Sequence, residues 1–566
     1  MQSISPLINS DIHSESWIKF RGTHQKSNNI TIEKEAKALI SLLLSLIQGG
    51  SQKEGQQMAS LISTLIYDLL TELKRHPDPI AAIDAILAVF DPDHPEHLFS
   101  ACPQTQDKLL PKGNQKELSK LMIEEYKHDL EELDSFRAKS NKVALALDTT
   151  HEAADSIYKN GEFTYAVIGQ SEKPIKGFIY ETVEDVTHHL FCNSTRNKKN
   201  VYSVRELPTP HGIQLLCESI EAARSRCCEV SEIYLDRYYY DTRYFAYAYF
   251  RQFDGKYLQQ EPIRVIVPKK FPRGKESKKR EMLENQDYPE IKLSSMQLNS
   301  YSEPHLKNLC QYYGIPKKDG CFHIPMVEVV CVNHSDGDKQ MNFDAAKRYY
   351  SHLKTEKHNA EQTLHRIEAE YVSHLNHLGY TLKKAPNLLH MKFPKRIHGY
   401  RHQCLIRELK LAQKRVEQLG ERLESLVNSV NVFCVSMIHG ERFVENSAVW
   451  KQRVMRYRER WSIENGFRDV KQHFWLDRRS RKPTRRFSRV VMGMRFYNKW
   501  HLCRLRRMVE KKRKKNPRYI PFDPKIRHLR RRLEREYGRL LSAEGYLLSL
   551  VRDLFKFELK KVLGPY

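Results

Sequence analysis

The chain has 566 residues, and at about 150 residues per domain that allows roughly three to five domains. Its 95 lysines and arginines exceed its 69 acidic residues, leaving a net charge of +26. An excess of that size argues against an ordinary metabolic enzyme and for a polyanionic partner, with nucleic acid ahead of a membrane surface.

Composition narrows the class further. The most apolar window, Ala38 to Ile47, is far shorter than the roughly 20 residues needed to cross a bilayer. The first fifteen residues lack the basic and then apolar pattern of a signal peptide, so a cytoplasmic protein with no membrane partner is expected. Eleven cysteines are scattered along the chain, and the adjacent Cys227 and Cys228 have no second pair at zinc-site spacing.

Residues 32 to 90 carry Ala, Leu and Ile at helical spacing and predict a small all-helical domain within a region 1–118. It reads equally as a DNA-end recognition module or as a dimerisation unit. The stretch "NKVALALDTT" (141–150) is an apolar run ended by Asp148. With "FTYAVIG" (163–169) and "IKGFIYETV" (175–183) it predicts three strands, because Val, Ile, Tyr and Phe dominate and glycines punctuate them. His188 and His189 have no third ligand at metal-site spacing, and a surface loop or helix is expected there.

A helix over 211–228 should lead into the strand of "SEIYLDRYYYDT", which ends at Asp236, and "IRVIVPKK" predicts a further strand with a basic exit through Lys269 and Lys270. Residues 269–445 interrupt this α/β pattern with basic loops, the strand candidate "MVEVVCV" and a helix candidate at 407–430, and read as an insertion. From 499 to 539 the chain has 17 Lys and Arg against four acids, which is either a solvated helix face or a phosphate contact. The apolar stretch 546–557 within the terminal region 509–566 is a candidate packing or dimerisation helix.

Asp148 and Asp236 both sit at carboxyl ends of candidate strands, the edge where sheet enzymes place their sites. Asp155 and Asp241 are the alternatives if those strand ends lie elsewhere. A third acid comes from "YRERWSIENGFRDVKQHFW" (457–475). Wound as one regular helix, at about 100° per residue, it places Tyr457, Arg460, Glu464 and Lys471 within about 60° of arc over about 21 Å. Ile463, Phe467, Val470 and Phe474 form a neighbouring apolar stripe. An ordinary amphipathic helix would explain the Arg460–Glu464 spacing but not Tyr457 and Lys471 in the same sector.

This segment resembles, position for position, the Tyr-x2-Arg-x3-Glu-x6-Lys (YREK) signature of the cut-and-paste insertion-sequence transposases that use an Asp-Asp-Glu triad. "LALDTT" (145–150), "IYLDRYYYD" (233–241) and "RFYNKW" (495–500) are similar to the family's first-aspartate strand, second-aspartate segment and the motif after the glutamate helix. The resemblance implies an α/β fold with a ribonuclease H-like catalytic core of mixed sheet, split as 140–268 and 446–508. A β-rich insertion carrying extra helices interrupts that core, and helical N- and C-terminal regions flank it.

Asp148, Asp236 and Glu464 would then be both the catalytic residues and the ligands of two Mg2+ ions, with Mn2+ able to substitute. Tyr457, Arg460 and Lys471 would contact DNA, joined by Arg468, Lys269 and Lys270. Trp461 would either stack on an opened base or pack against a domain. The partners implied are double-stranded DNA bearing terminal inverted repeats, target DNA and a second copy of the chain in a homodimer. The implied setting is the nucleoid of a prokaryotic host. A structure-specific nuclease with the same core, or a non-catalytic DNA-binding descendant, is the competing expectation.

Overall fold

A computed structural model describes residues 115–153, 175–197, 210–250, 262–271, 275–298, 304–333, 341–379, 399–474 and 483–517, with short pieces between and beyond them. The helices expected at 32–90, and nearly all of the basic and apolar segments beyond 517, lie outside the described residues. The fold is mixed α/β. The chain divides into two compact units, Met1–Leu235 with Arg251–Ile263 and Arg458–Tyr566, and Asp236–Phe250 with Arg264–Tyr457. Among the described residues no helix is long and apolar enough to cross a membrane.

The first unit opens on α1 (Gln115–Ser135), where Leu118, Met122, Tyr126, Leu130 and Leu133 recur at three- and four-residue spacing and are all buried. The chain then enters β1 (Lys142–Ala153), β2 (Thr164–Ala166), β3 (Ile175–Asp185) and β4 (Leu190–Asn197). Helix α2 (Pro210–Ser225) crosses over to β5 (Glu229–Leu235). Strands β1 and β5 are parallel, while β3 is antiparallel to β1, β2 and β4, so the sheet is mixed. Val143 to Leu147 are buried without interruption, as expected of a strand covered on both faces.

Strand β4 has no hydrophobic alternation, yet Asn193 and Ser194 are buried. Their polar groups are satisfied inside the fold. Ser119 Oγ donates to Asn193 at 2.5 Å, Asn193 donates to Glu218 at 2.8 Å, and the Ser194 and Thr182 hydroxyls meet at 2.9 Å.

The two histidines expected on a surface loop or helix occupy instead the turn from β3 to β4, and His188 is buried there. Its Nδ1 lies 2.5 Å from the Asp185 carboxylate, and its Nε2 accepts the Ser140 N–H at 2.9 Å. Tyr126 donates its hydroxyl to the same carboxylate at 3.0 Å. Burial alone would raise the Asp185 pKa, but the interaction with His188 and the hydrogen bonds from His188 and Tyr126 outweigh it and hold the carboxyl below its usual range.

The second unit contains α3 (Thr242–Phe250), β6 (Arg264–Pro268), α4 (Lys275–Glu284), β7 (Ile291–Gln297) and α5 (Pro304–Tyr312). It continues through β8 (Cys321–Val332), α6 (Phe343–His377), α7 (Tyr400–Ser429), β9 (Val430–Ser436) and α8 (Ser447–Arg456). Strand β8 lies between β7 and β9, and β9 also pairs β6, all antiparallel. Helix α6 runs for about 50 Å at 1.5 Å per residue, capped by the Asn342 side chain. At one end Phe343, Tyr350 and Leu353 pack with Leu419 and Leu426, and at the other Tyr371 and Leu375 pack with Leu405 and Leu409. The helix and strand candidates of this region both form, while α6 had no counterpart among the expected elements.

Candidate active site

Parallel pairing of β1 with β5 brings Leu147 opposite Leu235, and the next residue of each strand is an aspartate, Asp148 and Asp236. Strand β1 does not end there: it continues to Ala153 against β3, whose long partner edge extends to Gly177. Asp148 therefore lies at the end of the parallel pairing, within a longer strand. It is buried, and its Oδ1 accepts the Thr149 N–H at 2.7 Å. Asp236 is partly exposed and caps the short 3-10 turn Arg237–Tyr239, accepting the Tyr238 N–H at 3.2 Å. Of the alternatives, Asp241 accepts the Arg243 N–H at 2.8 Å and pairs with its guanidinium, while Asp155 lies outside the described residues.

The segment from 457 is not one regular helix. It is a 3-10 turn (Tyr457–Arg460), then α9 (Trp461–Asp469), then a π-helical turn (Val470–Phe474). The 3-10 turn advances about 120° per residue and the π turn winds more loosely than an α-helix, so sectors drawn at one fixed angle do not hold across the segment. Tyr457 is buried with its ring 5.0 Å from Phe433 of β9. Trp461 is 62% exposed. Arg468 and Lys471 are exposed, with Arg468 donating to Asn465 at 2.8 Å. In the second unit Lys269 is paired with Glu328 at 2.6 Å, and Lys270 is exposed.

The apolar stripe forms as expected, with Ile463, Phe467, Val470 and Phe474 all buried. Phe467 stacks on Phe191 of β4 at 5.5 Å. Gly466 permits this approach, since a Cβ there would stand 2.8 Å from the Phe191 ring and 3.3 Å from the Tyr497 hydroxyl. Helix α10 (Pro483–Arg513) passes equally close to the π turn, where a Cβ on Gly493 would lie 2.9 Å from the Phe474 carbonyl oxygen.

The "RFYNKW" stretch lies on α10 and braces this arrangement. Asn498 accepts the Phe191 N–H at 2.8 Å and donates to the Phe191 carbonyl at 2.9 Å and to Asp129 at 3.0 Å. Lys499 pairs with Asp129 at 2.7 Å and with Glu132 at 3.2 Å. Sequence reasoning singled out neither Asn498 nor Gly466. The quoted motif was the signal for the first, and a glycine inside an amphipathic helix was the signal for the second.

The centre of the site is Arg460. Its guanidinium is buried and donates through Nη1 to Asp148 and through Nη2 to Glu464, the latter at 2.5 Å. Asp148 and Glu464 thus share one cation, contributed by a residue 312 positions along the chain from Asp148. The Glu464 side chain is 48% exposed. Among the described residues no three His, Cys, Asp or Glu side chains stand together as a group able to hold a metal ion.

No protein-family model matches the chain, and no curated protein matches it. Among solved structures, a piggyBac transposase synaptic complex with hairpin DNA is similar over 98% of this chain and 80% of its own, at 10% identity and a TM-score of 0.36. That likeness is too slight to support a function, which rests on the residues alone.

Proposed function

We propose that the protein is a DNA transposase that cuts an insertion sequence out of DNA and joins it elsewhere, using Asp148, Asp236 and Glu464 on a ribonuclease H-like core. The single observation that supports this most is the Arg460 guanidinium shared by Asp148 and Glu464, together with the position of Asp236 directly after the strand paired in parallel with β1. Metal-dependent phosphodiester chemistry draws on carboxylates of this kind: Asp148 and Glu464 meet on one guanidinium, and Asp236 directly follows β5 in the chain.

Asp148, Asp236 and Glu464 carry hard carboxylate oxygens of the kind that Mg2+ and Mn2+ take, although among the described residues they do not stand together as a metal-holding group. Two such ions, held by Asp148, Asp236 and Glu464, would supply an activated oxygen nucleophile and neutralise charge on the leaving 3′ oxygen. The chain's own residues do the positioning. Arg460 can grip a phosphate through two parallel hydrogen bonds, Lys471 and Arg468 add exposed point charges, and Tyr457, Lys269 and Lys270 extend the DNA contact. The exposed Trp461 can stack on a base opened from the duplex.

Hydrolysis frees the element's 3′ hydroxyl. That hydroxyl attacks the opposite strand to form a hairpin, the hairpin is reopened by water, and the same 3′ end attacks the target. The partners are duplex DNA with terminal inverted repeats, target DNA and a second copy of the chain, acting at a prokaryotic nucleoid. The division into core (140–268 and 446–508), insertion (269–445) and flanking regions (1–118 and 509–566) belongs to the same proposal.

The test is strand joining. Wild type incubated with a pre-cleaved end taken from the DNA flanking the gene, a supercoiled plasmid and Mg2+ is expected to yield joined products, and Asp148→Asn none. Cutting without joining would instead assign a structure-specific nuclease, and neither product would leave a DNA-binding protein.

A further inference from the structure

We infer that Asn498 is a positioning residue for Glu464: it holds a bulge in β4 that turns the Phe191 ring to the Asp148 face of the sheet, and that ring seats α9. This rests on the reading of Glu464 as a catalytic carboxylate. The register of β4 against β3 pairs Ser194 with Thr182 and Phe191 with Glu184, so Cys192 is one residue too many on the β4 side. Side chains alternate along a strand, and one extra residue moves those beyond it to the opposite face. Thr182 and Glu184 stand opposite Asp148 and Ala146 of β1, so Phe191 shares the face of Asp148. Without the bulge its ring would share the face of Asn193, whose side chain accepts from Ser119 of α1.

A buried bulge needs its main chain satisfied. Asn498, buried on α10, takes both groups of Phe191, accepting its N–H at 2.8 Å and donating to its carbonyl at 2.9 Å. A carboxamide does this with one oxygen and one nitrogen, and the same nitrogen also donates to Asp129 of α1 at 3.0 Å. The ring so placed stacks on Phe467 at 5.5 Å and closes on Gly466, where a Cβ would stand 2.8 Å from it. Gly466 and Phe467 follow Glu464 on α9 within a single helical turn. The contacts therefore run from Asn498 through Phe191 to the backbone that carries Glu464.

Two measurements on the full chain test this. Amide hydrogen exchange needs no reaction: Asn498→Leu should exchange the amides of α9 at least about fivefold faster than wild type, the effect of one lost buried hydrogen bond. Lys499→Met, which removes a neighbouring contact to Asp129 from the same helix, should leave α9 unchanged and quicken α1 instead. The second measurement sets single-turnover cutting in Mg2+ against binding of a duplex taken from DNA flanking the gene. Asn498→Leu should leave binding unchanged and slow cutting roughly 100-fold, as a shift of about 1 Å in a reacting group implies. Should Asn498→Leu fail to fold, Phe191→Leu replaces it with the same expected pattern, since leucine lacks the ring that seats α9.

Unchanged exchange in α9, equal quickening of α9 by Lys499→Met, or full cutting by Asn498→Leu would overturn the positioning role and leave the functional reading standing. A wild type that cuts no DNA would overturn the functional reading, and the role of Asn498 in cutting with it.

Discussion

Two clusters among the described residues of the first unit, both joining basic side chains to carboxylates, differ in how they are closed. Between α1 and α10, Glu125, Asp129 and Glu132 meet Arg495, Lys499 and Arg506, with each side chain at least four-fifths buried. At α9, Arg460 meets Asp148 and Glu464, and here one carboxylate is half-exposed. Similar charges thus serve opposite ends. A closed cluster fixes two helices against each other, because no partner can leave without stranding another in a low-dielectric interior. In an open cluster one partner can turn to solvent, so its charges are not locked in place.

The sharpest way to break this contrast is to remove one cation from each cluster and compare melting temperatures. Lys499→Met takes the lysine cation from buried Asp129 while Glu132 keeps Arg506, and should cost about 3–5 kcal/mol, the range for breaking a buried pair. Arg460→Gln also takes the guanidinium from buried Asp148, but it should cost less, since Asp148 keeps the Thr149 N–H and Glu464 can turn to solvent. Equal losses would mean that the site at α9 is also structural. High pH gives the same contrast. Burial by itself would lower the Lys499 pKa, but the charges of Asp129, Glu132 and Glu125 outweigh it and raise it above the ordinary lysine range. The stability it contributes is full below the unfolded value of about 10.4 and lost as pH rises through the folded value, measured by alkaline melting of wild type against Lys499→Met.

A smaller effect is expected at Gly466. Its Ala variant pushes a methyl group against Phe191 and should lose about 1–3 kcal/mol by denaturant unfolding, the usual cost of overpacking. At acid pH the buried Asp185 reports on the turn beside β4. Its lowered carboxyl contributes stability that is full above the unfolded value of about 3.9 and is lost as pH falls through the folded value, a loss that Asp185→Asn should not show in acid melts. The smallest effect on stability belongs to Trp461→Ala. That exposed position should move the unfolding free energy by no more than about 0.5 kcal/mol. A DNA end labelled with 2-aminopurine should nonetheless lose its fluorescence rise on binding if Trp461 stacks on an opened base.

The same contrast explains what could be seen in the sequence. The strands at β1, β3 and β5 were legible because their apolar runs are buried on both faces, and so was the order of Asp148, Asp236 and Glu464. The Arg460–Glu464 pair followed from i,i+4 spacing, whereas the contact from Arg460 to Asp148 depends on how α9 lies against the sheet. Helix α1 was hidden because its acids, normally a mark of a wet face, are buried against α10. Strand β4 was hidden because its short apolar start, Leu190 to Cys192, runs into buried Asn193 and Ser194, satisfied by partners that only the fold brings near. The winding at 457–474 changes from 3-10 to α to π where Gly466 and Gly493 allow close packing, and no fixed helical angle captures that.

The most direct measurement is strand cleavage of a plasmid carrying the gene with its flanking DNA, in Mg2+, by wild type and by Glu464→Gln at matched DNA binding. The account predicts cutting at the element ends by wild type. In the variant it predicts a loss greater than the roughly 10–100-fold typical of a residue that merely supports a metal ligand. Full cutting by Glu464→Gln would contradict it.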